Sequence, residues 1–359
     1  MTENIFSSLY MLMSEIGTFT DCAVISDDVN RRYFTGMKSS AGTLLVFSDA
    51  AYLIIDSRYI EKACKTVTDC DVILQDKLYD QINELIAKHE AVKVSVDTAN
   101  LTVESLNKLS EKLNCDIDSS DELADTIRSI RAVKRGEEIE SMIAAQRIAE
   151  AGFEHMLGFI REGRTEREIQ LELDFYMLSH GAEALSFDTI ALTGKNTSMP
   201  HGVPSDDVVK SGDFVLMDFG AVVNGYHSDM TRTVCVGQPD DEMKKVYDIV
   251  LNAQLEGLKA VKAGIKGCEL DSVARKYISD AGYGEYFGHS LGHGVGMDIH
   301  EMPYASPTSG DILEEDSIIT VEPGIYLPGR FGVRIEDFVV VREDGCFNMT
   351  DAPKELIIL

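Results

Sequence analysis

Over the first ~125 residues, short apolar runs rich in β-branched and aromatic residues alternate with longer stretches whose apolar positions recur at helical spacing. The runs Cys22–Ser26, Thr43–Phe47 and Tyr52–Asp56 predict strands, the last two joined by Ser48-Asp49-Ala50-Ala51. Val72–Leu74 and Val92–Val96 extend the signal, and helical spacing falls near Ser57–Cys64, Tyr79–His89 and Val103–Leu113. This reads as a complete α/β domain over residues 1–125, without a cluster of catalytic residue types of its own. From Ser120-Asp121-Glu122 the chain reads as a connecting segment, with a linker at 126–135 and a second domain over 136–359.

The second domain opens on helices. Gly136-Glu137-Glu138 starts a long one to about Ile160, and Gly163 follows. Thr165-Glu166-Arg167-Glu168 has the capping-box spacing that starts another, to about His180, with Gly181 as its stop. The arrangement returns about a hundred residues later: a helix from Glu242 to Val261, a break at Gly264, a shorter helix, and a stop at Gly282. Both glycine pairs are eighteen residues apart, and Ile169 and Tyr176 correspond to Leu270 and Tyr277. Each helix pair precedes β-like sequence, which predicts an internal duplication with two half-sheets around one central site.

Polar residues inside those β-like stretches carry the chemistry. Phe214–Val223 is apolar except at Asp218, Asn224-Gly225 is a strong hairpin turn signal, and Tyr226–Val236 returns. A two-residue turn sets Val223 against Tyr226, Asp218 against Thr231 and Asp229 against Gly220. Asp218 and Asp229 then become diagonal neighbours on one face, close enough to grip a common ion. Ser317–Glu322 and Gly332–Val341 predict a second strand pair, whose loop holds the turn dipeptides Pro323-Gly324 and Pro328-Gly329. Arg334 and Glu336 share a face there, so Arg334 is placed to orient a carboxylate. His289-Ser290-Leu291-Gly292-His293-Gly294-Val295-Gly296 is too glycine-dense for regular structure but allows close approach to a ligand. Asp218, Asp229, Glu322 and Glu336 with His293 form a ligand set suited to hard divalent cations, which would neutralise their mutual repulsion. His89, His155, His180 and His227 read as structural, and His201 lies in a loop that spacing does not interpret.

Composition narrows the rest. Of 359 residues, 44% are hydrophobic, and no run of 18 or more apolar positions predicts a membrane span. Met1-Thr2-Glu3-Asn4 lacks the basic flank of a signal peptide, so the expected location is cytoplasmic. A formal charge of −28 argues against nucleic-acid and anionic-membrane partners, which need clustered Lys and Arg. The seven cysteines contain no C-x-x-C spacing and read as reduced thiols.

Five segments, in order, resemble the pita-bread metallopeptidases, the family of aminopeptidase P, prolidase, methionine aminopeptidase and creatinase. They are Met217-Asp218-Phe219-Gly220, Ser228-Asp229-Met230-Thr231-Arg232-Thr233, Gly292-His293-Gly294-Val295-Gly296, Val321-Glu322-Pro323-Gly324-Ile325-Tyr326 and Val333-Arg334-Ile335-Glu336-Asp337. Arg31-Arg32-Tyr33-Phe34-Thr35-Gly36 and Asp56-Ser57-Arg58-Tyr59 resemble the N-terminal domain of the Xaa-Pro peptidase branch. The resemblance implies an α+β fold, a C-terminal pita-bread domain with an internal pseudo-twofold repeat behind a smaller α/β creatinase-type domain. It implies two divalent metals with a bridging water or hydroxide: Asp218 on one metal, His293 and Glu322 on the other, and Asp229 and Glu336 bridging. Glu322 is then the proton shuttle, His201 and His300 steady the substrate carbonyl and tetrahedral intermediate, and His289 is a further active-site histidine. An oxygen-rich site with one imidazole favours Mn²⁺, while Co²⁺, Fe²⁺ and Zn²⁺ also fit. The implied partners are proline-containing peptides and a second copy of the chain, as a homodimer. Prolidases tend to carry an Arg where this chain has Tyr304, which favours an aminopeptidase over a dipeptidase unless another residue such as Arg330 substitutes.

Overall fold

The computed structural model describes residues 7–359; the Met1–Asn4 segment lies outside them. The chain divides into two compact units after Arg131.

In the first unit the five expected strands form, within one or two residues of their predicted bounds. They build a six-stranded mixed sheet ordered Asp71–Leu74, Ala51–Ile55, Thr43–Phe47, Cys22–Ile25, Lys93–Val96, Asp116–Asp118. The last strand was not anticipated, nor were the helices Ser8–Ile16 and Asp28–Thr35. The second of these is short and charged, and its ends decide it. Asp27 accepts from the Asn30 N–H, and Gly36 leaves the helix at φ 67°. The connecting segment is corrected too: Glu122–Ala132 is a helix that buries Leu123, Ile127 and Ile130, an i, i+4, i+7 stripe.

The second unit has the expected α+β pita-bread arrangement. Helices Gly136–Phe159 and Glu166–Ser179 form one pair, and Asp241–Ala260 and Gly267–Asp280 form the other. The capping box is present, with Glu168 accepting from the Thr165 N–H at 2.9 Å. The duplication extends into the backbone. Gly163, Gly181, Gly264 and Gly282 all have positive φ. In the first half the N–H groups of Gly163, Glu166 and Arg167 donate to the carbonyls of Val209, Asp207 and Ser205. In the second half Gly264, Gly267 and Cys268 donate to Leu313, Asp311 and Ser309 in the same pattern.

Each helix pair buries its apolar face on a sheet. Phe153, Leu173 and Met177 pack with Val215 and Met217, and Val246, Val250 and Leu270 pack with Ile319, Val321 and Val339. The first sheet is Ile190–Thr193, Asp213–Phe219 and Met230–Val236, with the middle strand paired on both sides. The second joins Ile318–Val321, Asp337–Arg342 and Gly345–Asn348. Between them sits a buried charge network. Arg232 donates to Asp337 at 2.7 Å and also to the carbonyls of Pro353, Thr231, Glu336 and Ala352.

Candidate metal centre

The Asn224-Gly225 hairpin has the expected register, Val223 opposite Tyr226 and Thr231 opposite Asp218. Asp229 falls opposite Gly220 at a break in the ladder, and a Cβ there would lie 1.9 Å from the Ser228 carbonyl oxygen. Glycine is required because backbone, rather than an ion, comes close at that point.

The second pair departs from expectation. Ile318–Val321 pairs with Asp337–Arg342, but the chain then switches, and Gly324–Leu327 pairs with Phe331–Arg334. The register on both sides of the break sets Glu322 opposite Glu336. Pro323-Gly324 therefore marks the break between strands, and only Pro328-Gly329 makes a turn, with Gly329 at φ 71°. Proline at 323 removes one ladder donor just where the strand must end. The glycine-dense segment also contains a short strand, Gly292–Gly294, paired with Glu301–Ala305. A Cβ on Gly292 would lie 1.9 Å from the Thr320 carbonyl oxygen, and Thr320 Oγ1 accepts the His293 N–H.

These elements bring all five expected ligands, with His201, His289, His300 and Arg334, to the wall of one cavity of about 480 Å³. Asp229, His293 and Glu336 offer ligand atoms that all lie within 4.8 Å of one another. His293 Nε2 is 3.6 Å from Asp229 Oδ2 and 3.5 Å from Glu322 Oε1. Its Nδ1 faces the Gly294 carbonyl at 3.1 Å, which fixes the proton there and leaves Nε2 bare.

Arg334 organises the wall. It donates to Asp218 at 2.6 Å, to Thr231 at 3.0 Å and to the Tyr326 hydroxyl at 2.8 Å. Thr231 in turn donates to Glu336 at 2.7 Å, and the Tyr326 hydroxyl meets His289 Nε2 at 2.9 Å. His289 Nδ1 faces the Ser290 carbonyl at 2.8 Å, so both ring nitrogens are engaged by the protein.

Burial dominates the electrostatics. It raises Asp229 well above the usual carboxylate range, helped by Asp218 and Glu322, and it raises Glu336 in the same way with Asp229 beside it. Glu322 is pushed up to about 8 by burial. Burial also keeps the histidines neutral: His293 falls to about 4, with His300 adding repulsion, and His289 to about 3, with Arg334 adding its charge. Asp218 Oδ1 is buried with no hydrogen-bond partner. Four carboxylates facing one fixed cation, an unpartnered carboxylate oxygen and a bare imidazole nitrogen fit divalent cations at this site.

Sequence alone gives Tyr326 and Thr231 no role. Their importance lies in what Arg334 reaches across the sheet, which spacing along one strand does not reveal. Phe187, Asp188, Ile190 and Ile299 also line the wall and carry no sequence signal. Tyr304 is on the wall and 41% exposed. Arg330 is not on it; its guanidinium pairs with Glu242 at the surface, at 2.5 Å.

Residues 140–343 match Metallopeptidase family M24, and residues 7–130 match the Creatinase/Prolidase N-terminal domain. The chain is 41% identical over 343 residues to the uncharacterised peptidase YqhT of Bacillus subtilis, covering 94% of this chain and 96% of that one. Its fold is similar to the Xaa-Pro dipeptidase from Bacillus anthracis, with a TM-score of 0.94, 39% identity and coverage of 98% and 99% of the two chains. It is similar also to the X-Pro aminopeptidase from Thermotoga maritima MSB8, with a TM-score of 0.90, 38% identity and coverage of 95% and 98%. With ordered motifs, a duplicated α+β domain and a carboxylate-lined cavity in agreement, the chain belongs to metallopeptidase family M24.

Proposed function

We propose that this metallopeptidase removes the N-terminal residue from peptides whose second residue is proline, as an aminopeptidase P. The observation that carries the choice is the charge of the cavity wall. Among the described residues lining it, Arg334 is the one side chain with a fixed positive charge, and Asp218, Thr231 and Tyr326 already engage it. A free dipeptide would bring its C-terminal carboxylate to a wall without an unengaged cationic side chain to pair it, whereas a longer peptide places an amide there. The dipeptidase reading is the alternative, favoured by the name of the Bacillus anthracis relative.

Bound divalent cations would supply an acidified water and polarise the scissile carbonyl. Asp218 would hold one and His293 with Glu322 the other, with Asp229 and Glu336 shared between them. Glu322 takes the proton of the attacking water and hands it to the departing proline nitrogen. His201 and His300 donate to the carbonyl oxygen as charge builds there. His289, with both nitrogens occupied, holds the Tyr326 hydroxyl in place for Arg334. The oxygen-rich donor set supports Mn²⁺. The family resemblance supports a homodimer. Comparing turnover of Xaa-Pro with Xaa-Pro-Xaa peptides on the Mn²⁺-loaded enzyme tests the choice: tripeptides should be preferred, and cleavage of dipeptides alone would refute it.

A further inference from the structure

His300 sits at the end of an irregular loop, where precise placement is hard to obtain from backbone pairing alone. Its ring meets that of His293 edge-on at 4.3 Å, and it lies on the cavity wall. The next residue, Glu301, turns its carboxylate inward rather than to solvent. The loop from Gly296 to His300 folds around that carboxylate. Asp298 donates its N–H to Oε2 at 3.4 Å, and a Cβ on Gly296 would lie 2.2 Å from Oε1. The Gly296 carbonyl then receives the His227 N–H at 2.9 Å, two residues before Asp229.

A buried carboxylate at the heart of a loop is costly unless it is paired. Lys134 pairs it. Its ammonium donates to Glu301 Oε1 at 2.6 Å, and the residue is 3% exposed. Lys134 is itself held: its N–H donates to the Asp316 carbonyl at 2.9 Å, and Val133 bridges to Ser317. The anchor therefore reaches the strand Ile318–Val321, which Glu322 directly follows. Neither Lys134 nor Glu301 lines the cavity.

We propose that the Lys134–Glu301 ion pair is a positioning device for His300, setting the loop that aims the imidazole at the substrate carbonyl. The proposal rests on the peptidase reading above, in which His300 touches substrate. Removing the pair leaves the metal ligands in place and lets the loop relax about Gly296, so turnover falls while metal binding stays.

The test is a double-mutant cycle in the metal-loaded enzyme, with kcat, KM and metal content measured for each variant. Lys134→Met should lower kcat about 10–100-fold with full metal content and KM within about threefold, since a misaimed transition-state donor costs on this scale. Lys134→Arg should recover most of the loss, because a cation again meets Glu301. Glu301→Gln, which keeps the contact with the Asp298 N–H, covers the case in which Lys134→Met does not fold, and should give a milder fall of the same kind. In a His300→Ala background, Lys134→Met should cause little further loss. Additive losses there, or an unchanged kcat in Lys134→Met, overturn the positioning role. An unchanged kcat in His300→Ala alone overturns the assignment of His300 to substrate, and the positioning role with it. Metal content lost in parallel with kcat would show a purely structural pair and also overturn the proposal.

Discussion

Replacing Asp337 by Asn removes the anion of the most completely buried charge network in the second unit. Asp337 is 0% exposed and accepts from Arg232 at 2.7 Å, Gln254 at 3.1 Å, Asn348 at 2.7 Å and Lys354 at 2.6 Å. The amide still accepts at one atom, but its NH₂ group points at donors, and the Arg232 guanidinium is left buried without a counter-charge. Breaking one partner of such a pair costs about 3–5 kcal/mol. Folded domains hold only about 5–15 kcal/mol in total, so the change is large. With a urea dependence of about 2 kcal/mol per molar, the unfolding midpoint of the metal-free protein should fall by on the order of 1.5–2.5 M. Circular dichroism against urea measures this directly. The Arg232→Met, Asp337→Asn double variant should lose less than the sum of the singles by about 1–3 kcal/mol. A midpoint shift below about 0.3 M for Asp337→Asn, or strict additivity, would show that the network is solvent-relaxed and the reasoning wrong.

Tyr326→Phe deletes the hydroxyl between Arg334 and His289, leaving His289 Nε2 unpaired, at about 1–3 kcal/mol, and that Arg334 nitrogen with only the Pro200 carbonyl at 3.4 Å. kcat/KM should drop by at least about tenfold, and unaltered kinetics would remove Tyr326 from the site. Gly220→Ala drives a Cβ into the Ser228 carbonyl, so a loss of about 3 kcal/mol in thermal unfolding is expected, with weakened metal binding. A chelator should abolish activity and lower the melting temperature, and Mn²⁺ at a hundredfold excess over its Kd should return about 2.7 kcal/mol; a melt indifferent to chelation contradicts the metal site. Asp118 gives a pH effect. Burial opposes its charge, but the Ser120 N–H, Ser95 and Lys93 outweigh this and hold its carboxyl at about 2, below its ordinary 3.8. Its stabilisation is therefore full above pH 3.8 and fades as pH falls toward 2. Asp118→Asn should cost about 1–2 kcal/mol at pH 7 and progressively less as pH falls through 2, measured by urea melts at each pH.

What the sequence made legible was local or repeated. The Asn224-Gly225 turn fixes its own register, because both residues take positive φ, 53° and 88°. From that register the placement of Asp218 and Asp229 follows by counting. The glycines at 163, 181, 264 and 282 mark the duplication for the same reason. The pairing switch at Pro323 is different in kind. Whether a strand continues or changes partner depends on what lies across from it, and apolar residues flank Glu336-Asp337 on both sides, at Val333, Ile335 and Phe338 to Val341, so the stretch reads as one strand. Arg334 reads on its strand as a residue sharing a face with Glu336; its contacts with Asp218, Thr231 and Tyr326 exist only after both hairpins meet. The helix at Glu122–Ala132 was legible in its apolar stripe, and the surrounding charges obscured it.

Arg232 reaches backbone acceptors that are far apart along the second unit. Two of them, the Ala352 and Pro353 carbonyls, come from a segment that lines no part of the cavity, and the segment continues to a bridge between Cys235 and Ile358. The same guanidinium holds the Glu336 carbonyl. A substitution at Ala352 or Pro353 should therefore loosen the guanidinium beneath Glu336 and weaken metal binding from a place that lines no part of the cavity.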